Sequence, residues 1–308
     1  MPARRSKFTL TAVRHSGVLG LALLLGACST GYRDNAGRYS QHQDTAPARA
    51  VDVTLVADAT PRHEPKSRYG NPASYVVRGK RYYTKTSSKG YRERGVASWY
   101  GTKFHGHRTS SGESYDMYKM SAAHKTLPLP TYARVTNLRN GKSVIVKIND
   151  RGPFHDNRLI DLSYAAASRL GILGKGTGLV EVEAIDPLSY AGNTSSDTTR
   201  PVHHVTVSQP KLTPTALAPE PVAADSTTEA PSLYLQLGAF LSRSNAERLQ
   251  QRLSTATLPG KLHISETVAN QKHIYRVRIG PLANVETADR LTRTLTEQGI
   301  ASPHVVID

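Results

Sequence analysis

Between Val96 and Ile185, apolar and polar positions alternate in short runs broken by turn residues. A period of two predicts strands that turn one side to a core. The runs are VASWY at 96–100, YARVTN at 132–137, SVIVKIN at 143–149 and VEVEAI at 180–185. Asn140-Gly141 lies between the second and third and is a hairpin signal, because both residues tolerate positive φ. One stretch switches to a helical period. There Ser163 is the expected N-cap, Ala165 to Leu170 the body and Gly171 the left-handed residue beyond it. Many short strands around one short helix predict a small β-barrel.

The last segment predicts a different layout, because it repeats. LQLGAF (235–240) aligns with VRIGPL (277–282), and Ala246, Arg248, Leu249 and Leu253 align with Ala288, Arg290, Leu291 and Leu295, all at an offset of 42 residues. Each copy reads as a strand then a helix, with further strands expected at KLHIS (261–265) and PHVVI (303–307). Ser244 and Glu247 have capping-box spacing before the first helix, and Gly299 is expected to end the second. Two such halves form an antiparallel α+β sheet with both helices on one face, in the ferredoxin-like manner. Leu235, Leu237, Val277 and Ile279 are then expected to face the helices. That leaves Tyr234, Gln236, Arg276 and Arg278 on the open face.

The rest of the chain has little periodicity. Residues 28–71 are rich in Arg, Asp, Ala, Pro and Gly and read as a disordered tether. Around SYVVRGKRYY a semi-ordered segment packed on the barrel is expected. Residues 189–231, dominated by Ser, Thr, Pro and Ala, read as a flexible linker.

The first residues say where the chain goes. Arg4, Arg5, Lys7 and Arg14 make a basic stretch, and the apolar run Val18 to Leu25 is too short to span a bilayer comfortably. Leu25-Gly26-Ala27-Cys28 resembles a bacterial lipobox, in which the leader 1–27 is removed and Cys28 is lipidated. Ser29 after the cysteine implies, by the same resemblance, sorting to the outer membrane. Cys28 is the only cysteine, so no intramolecular disulfide can form. The formal net charge of +16 favours polyanionic partners. Export removes nucleic acid from those partners and leaves the anionic envelope.

Three polar segments interrupt the barrel pattern: GTKFHGHRTSSGE (101–113), SAAHKTLPLP (121–130) and NDRGPFHDNR (149–158). Asp150 stands where a hydrophobic strand ends, just before the Gly152-Pro153 turn that would expose it. A carboxyl fixed there can protonate a glycosidic oxygen if burial or a neighbouring charge lifts it above its free value of about 3.9. On the residues alone it can equally cap its own turn. His124 can orient that carboxyl or serve as a structural histidine, and Glu113 can supply a negative charge or hold substrate. Asp161 reads first as a loop brace. Arg151 reads as a carboxylate partner or a substrate contact. Trp99 and Tyr100 offer flat faces to a sugar ring or belong to the core. His105, His107 and His155 lack a further ligand at metal spacing, so no metal or cofactor is expected.

Together with ASWYG (97–101) and IDLS (160–163), these segments resemble the catalytic domain of the rare lipoprotein A family. The resemblance implies a six-stranded double-psi β-barrel, here placed at 72–188, and lytic transglycosylase activity on peptidoglycan. In such an enzyme the C6 hydroxyl of the sugar attacks. One residue can then act as acid and afterwards as base, and a 1,6-anhydro end results. The resemblance sets Glu113, His124 and Asp150 at the family's catalytic positions, with Asp150 the essential acid. LYLQLGAF and YRVRIGPL resemble the sporulation-related repeat (SPOR) domain, placed at 232–308. That implies binding of glycan strands stripped of stem peptides through Tyr234, Gln236, Arg276 and Arg278. The expectation is an outer-membrane lipoprotein facing the periplasm, acting on naked strands at the division septum, with divisome proteins as candidate partners. Its rivals are a non-catalytic wall-binding or expansin-like wall-loosening protein and a septal scaffold.

Overall fold

The computed structural model describes residues 41, 43–49, 51–194, 231–254, 257–300 and 303–308. The lipobox with Cys28, the leader, the first part of the tether and most of the linker lie outside the described residues.

In chain order the elements begin with a hairpin, β1 (Ser74–Val77) and β2 (Lys80–Tyr83). The strands β3 (Arg92–Tyr100), β4 (Ser121–His124), β5 (Thr131–Asn137), β6 (Ser143–Asp150) and β7 (Arg158–Ser163) follow. Helix α1 (Tyr164–Leu170), strand β8 (Gly178–Ala184) and helix α2 (Pro187–Thr194) complete this part. Six strands close into a double-psi barrel in the order β3-β7-β4-β6-β5-β8. The pairs β3/β7 and β4/β6 are parallel, and the rest antiparallel.

Ala122, Val135, Val146, Ile148, Ile160 and Leu162 fill the barrel and are fully buried. Each buried Ile or Leu stabilises by about 1.5–3 kcal/mol. Exposed ion pairs contribute about 0–1 kcal/mol, so the apolar row holds the barrel and surface charge does not. The expected caps of α1 form as read: the Ser163 hydroxyl accepts from the Ala166 N–H at 3.2 Å, and Gly171 has φ +72°.

Two barrel strands escaped the periodicity. SAAH is buried at every position of β4, and parallel pairing with β6 removes the alternation that marks a half-exposed strand. RLIDLS was read as the approach to α1, yet it forms β7, paired on both edges.

The tether expectation fails for its C-terminal half. Residues 51–71 lie along the barrel as an extended strap. The Ala59 N–H donates to the Ile145 carbonyl at 3.0 Å and the Ser67 N–H to the Leu129 carbonyl at 2.8 Å. Arg169 on α1 pairs with Asp58 at 2.8 Å. Upstream, Asp44 accepts from the Gly101 and Lys103 N–H groups at 2.7 and 3.0 Å. Extended chain without apolar period leaves no sequence signal when most of its partners are remote in the chain. The segment 74–83 is a well-formed hairpin, with Arg78 and Gly79 at positive φ in its turn. Tyr75 and Tyr82 stack at 5.4 Å and both meet Phe154, which fixes the hairpin to the turn after β6. The linker was expected from residue 189, but α2 runs on to Thr194, with Pro187 at its first position.

The C-terminal domain contains β9 (Leu233–Phe240), α3 (Arg243–Leu253), β10 (Lys261–Ala269), β11 (Lys272–Leu282), α4 (Val285–Glu297) and β12 (His304–Ile307). Its antiparallel sheet has the order β10-β11-β9-β12. Leu235, Leu237, Val277 and Ile279 are buried in one cluster with Ala246, Ala288, Leu291 and Leu295 of the helices, as the repeat predicts. The capping box does not form. Ser242 occupies the N-cap position of α3 without a side-chain cap bond, its hydroxyl meets that of Ser244 at 2.9 Å, and Glu247 pairs with Arg243 instead. Gly299 follows α4 at φ +79°, as expected.

Candidate active site

Asp150 is the last residue of β6 and is partly exposed. One oxygen, Oδ1, accepts three hydrogen bonds: from the Ser110 N–H at 2.8 Å, the Ser110 hydroxyl at 2.6 Å and the Arg151 N–H at 2.7 Å. None of the described residues donates to Oδ2. The carboxyl is thereby fixed by one oxygen and presents the other. Gly152, at φ +138°, takes the chain sharply away after Asp150, a conformation that side chains disfavour.

The register places a second carboxylate beside it. Ala123 of β4 pairs with Asp150 on one side and with Asp161 of β7 on the other. The β4/β6 register shifts between Ala122 and Ala123, so the two acids are cross-strand neighbours of one alanine without being held to one face by a regular ladder. Two strand spacings separate their backbones by about 10 Å. The Ser98 hydroxyl donates to Asp161. Burial raises the Asp161 carboxyl above its ordinary value, against lowering by Ser98 and the nearby Arg158 and Lys125. Sequence reading underrated Asp161. Its signal was a carboxylate set between Ile160 and Leu162.

Glu113 sits at the end of the 101–113 loop with its side chain about half exposed (46%). Its Oε1 accepts from Lys147 Nζ at 2.9 Å and its Oε2 from Asn149 Nδ2 at 2.8 Å. Burial alone would raise it, but the Asn149 and Lys147 bonds outweigh that and lower it. Glu113 and Asp150 share no hydrogen bond. They are joined through the loop, since Ser110 holds Asp150 while the Ser111 N–H donates to the Asn149 carbonyl at 3.1 Å.

His124 does not join them. It follows Ala123 on β4, so its ring points to the opposite face from the Ala123 methyl. The ring is 2% exposed. Nδ1 accepts the Thr126 and Leu127 N–H groups at 3.2 and 3.0 Å, which places the proton on Nε2, facing the Tyr91 hydroxyl at 2.9 Å. Burial, then the charges of Arg151, Lys125 and Lys85, push its pKa down to about 3, so the ring is neutral. In this structure the His124 ring bonds to the Thr126 and Leu127 backbone and to Tyr91 rather than to either acid.

Arg151 is likewise committed to the scaffold. Its guanidinium donates to the carbonyls of Gly70 (2.8 Å), His124 (3.1 Å) and Leu127 (2.5 Å) and to Asn71 Oδ1 (3.2 Å). Those bonds clasp β4, β6 and the strap together, leaving little of the fork for a sugar. Tyr100 is core: it is 7% exposed and stacks on Tyr115 at 4.0 Å. Trp99 points to the other side of β3 from Ser98 and packs edge-on against Tyr164 at 6.0 Å. Tyr100 is too buried to offer its face to a sugar, and Trp99 is engaged with Tyr164.

On the C-terminal sheet, Arg278 and Gln236 pair across β11 and β9 and are buried. Arg278 is bound to Asp308 at 2.7 Å, so its charge is already partnered. Tyr234, half-buried, meets His263 edge-on at 5.6 Å, and Arg276 is opposite Ala239 across a register shift.

Comparison with known proteins agrees with this geometry. The family described as lytic transglycolase matches residues 92–182, and the SPOR domain matches residues 230–306. The barrel match, followed by a SPOR domain, places the chain in the class of lytic transglycosylases. The endolytic peptidoglycan transglycosylase RlpA of Pseudomonas aeruginosa is 41% identical, over 98% of this chain and 98% of its own. The RlpA of Vibrio cholerae is 40% identical over 90% of this chain and 89% of its own. The crystal structure of the RlpA SPOR domain from Pseudomonas aeruginosa is 35% identical over 24% of this chain and 96% of its own, with a TM-score of 0.23. The chain belongs to the RlpA family and is a lytic transglycosylase.

Proposed function

We propose that the protein cleaves MurNAc–GlcNAc linkages of peptidoglycan within strands stripped of stem peptides, leaving 1,6-anhydro-MurNAc ends. The observation that carries the reading is the carboxyl of Asp150 at the end of β6, held by three donors on Oδ1 and partly exposed. A proton on Oδ2 passes to the glycosidic oxygen as the C1–O bond breaks and positive charge builds at C1. The resulting carboxylate then takes the C6 hydroxyl proton as that oxygen bonds to C1. One acid suffices, because the nucleophile belongs to the sugar.

Glu113, held down by Asn149 and Lys147, supplies a negative charge to the developing cation. The SPOR domain holds the enzyme on naked glycan, with Tyr234 and Arg276 as contacts, and brings it to the septum. Cys28 anchors the mature chain to the outer membrane, facing the periplasm.

The test is product analysis with denuded sacculi. The wild-type chain releases anhydro-ended oligosaccharides, and Asp150→Asn releases about 100-fold less or none while folding normally. Wild-type protein that binds sacculi but yields no anhydro product overturns the reading.

A further inference from the structure

We propose that the strap of residues 51–71 is a working part of the active site: through Glu64 it sets Lys147, and Lys147 with Asn149 aims Glu113. The proposal rests on the reading of Glu113 as a catalytic carboxylate. Glu64 and Lys147 are positioning residues.

The geometry is a chain of contacts crossing from strap to site. Tyr132 of β5 and Arg62 of the strap both donate to Glu64 Oε1. Glu64 Oε2 accepts from Lys147 Nζ at 3.0 Å, and the same ammonium reaches Glu113 Oε1 at 2.9 Å. Lys147 and Asn149 are two apart on β6, so both donors leave the strand on one side and grip one oxygen each of Glu113. A half-exposed glutamate on a loop has three free torsions, and this two-point grip removes them.

Each partner is held in its charged form. Burial would raise Glu64, but bonds from Arg62, Tyr132 and Lys147 prevail and bring it to about 2. Burial would lower Lys147, but Glu113 and Glu64 outweigh it and the pKa rises. Glu64 and Glu113 alternate with Arg62 and Lys147, so the network is balanced in charge and serves to fix Glu113 in place rather than to add negative charge. The strap also walls a groove of about 370 Å³, with Ala59 and Arg62 on one side and Glu113, Lys119, Lys147 and Asn149 on the other.

The test uses the full chain and denuded glycan strands, measuring anhydro ends across the carboxylate titration range. Lys147→Met is expected to lower kcat about tenfold or more with KM nearly unchanged. It also moves the acid limb of the profile to higher pH, because Glu113 loses its cation. Lys147→Arg keeps the limb in place. Glu64→Gln lowers kcat without moving the limb upward, since a negative charge is removed. If Glu113→Gln is as active as wild type, the reading of Glu113 falls and the inference with it. If Glu113→Gln is inactive while Lys147→Met and Glu64→Gln keep the wild-type kcat and limb, the inference alone is overturned. A loss of melting temperature in Lys147→Met with no shift of the limb also overturns it, because support of the fold alone would leave that limb in place.

Discussion

Asp150 and Asp161 both pair with Ala123 of β4, one on each side of the strand. The arrangement follows from β4 pairing parallel to β6 and antiparallel to β7, which brings acids 11 residues apart in sequence to one alanine.

If substrate approaches over that alanine, Ala123→Leu obstructs it. We expect loss of most anhydro-product release, with a stability cost of about 1–3 kcal/mol from overpacking. Ala123→Gly, which opens the same space, should retain activity. A fully active Ala123→Leu enzyme would place the substrate elsewhere.

Asp161 makes the fold pH-sensitive in a definite direction. Its carboxyl is raised in the folded state, so between its unfolded value of about 3.9 and the folded one the native state holds the extra proton. Its contribution is present at the acid end and is lost as pH rises through the folded value. Asp161→Asn should remove that decline. Chemical denaturation of both proteins at several pH values measures it, and identical slopes would refute the assignment.

His124 works the other way. Its pKa falls to about 3 in the fold, against about 6.5 when unfolded. The unfolded chain therefore takes the proton first as pH drops. Stability is complete above about 6.5 and falls by up to about 1.4 kcal/mol per pH unit towards 3. His124→Asn keeps an acceptor for the Thr126 and Leu127 N–H groups but does not titrate. It should flatten this slope, cost about 1–2 kcal/mol at neutral pH and leave measurable turnover. Complete inactivity in a folded His124→Asn protein would contradict the structural role.

Arg151→Lys keeps the charge but cannot reach three carbonyls and an amide at once. The expected loss is about 2–3 kcal/mol, seen in thermal melting, with KM for glycan little altered. A raised KM at unchanged stability would return Arg151 to the substrate.

The parts legible in the sequence were those built on local signals. The β5–β6 hairpin, the caps of α1 and the duplicated C-terminal unit each follow from residues close to one another. The strap, β4 and β7 were not legible, because their partners are remote and their burial leaves no alternation. Lys147 and Glu64 lie 83 residues apart. The visible trace was a lone lysine on a Val/Ile strand. Asp150 was found by its place at a strand end. The bonds that hold His124, Arg151 and Tyr100 to backbone and core were not legible, since most of their partners lie far off in the chain.

Docking of the chain at Asp44 shortens the leash. From Cys28 to Asp44 there are only 16 residues, against 43 to residue 71 if the whole segment were slack. Fully stretched, 16 residues span about 55 Å, whereas 43 would span about 150 Å. With Cys28 lipidated as proposed, an enzyme of this build would graze only the wall layer nearest its own membrane, and lengthening those residues should let it cut deeper.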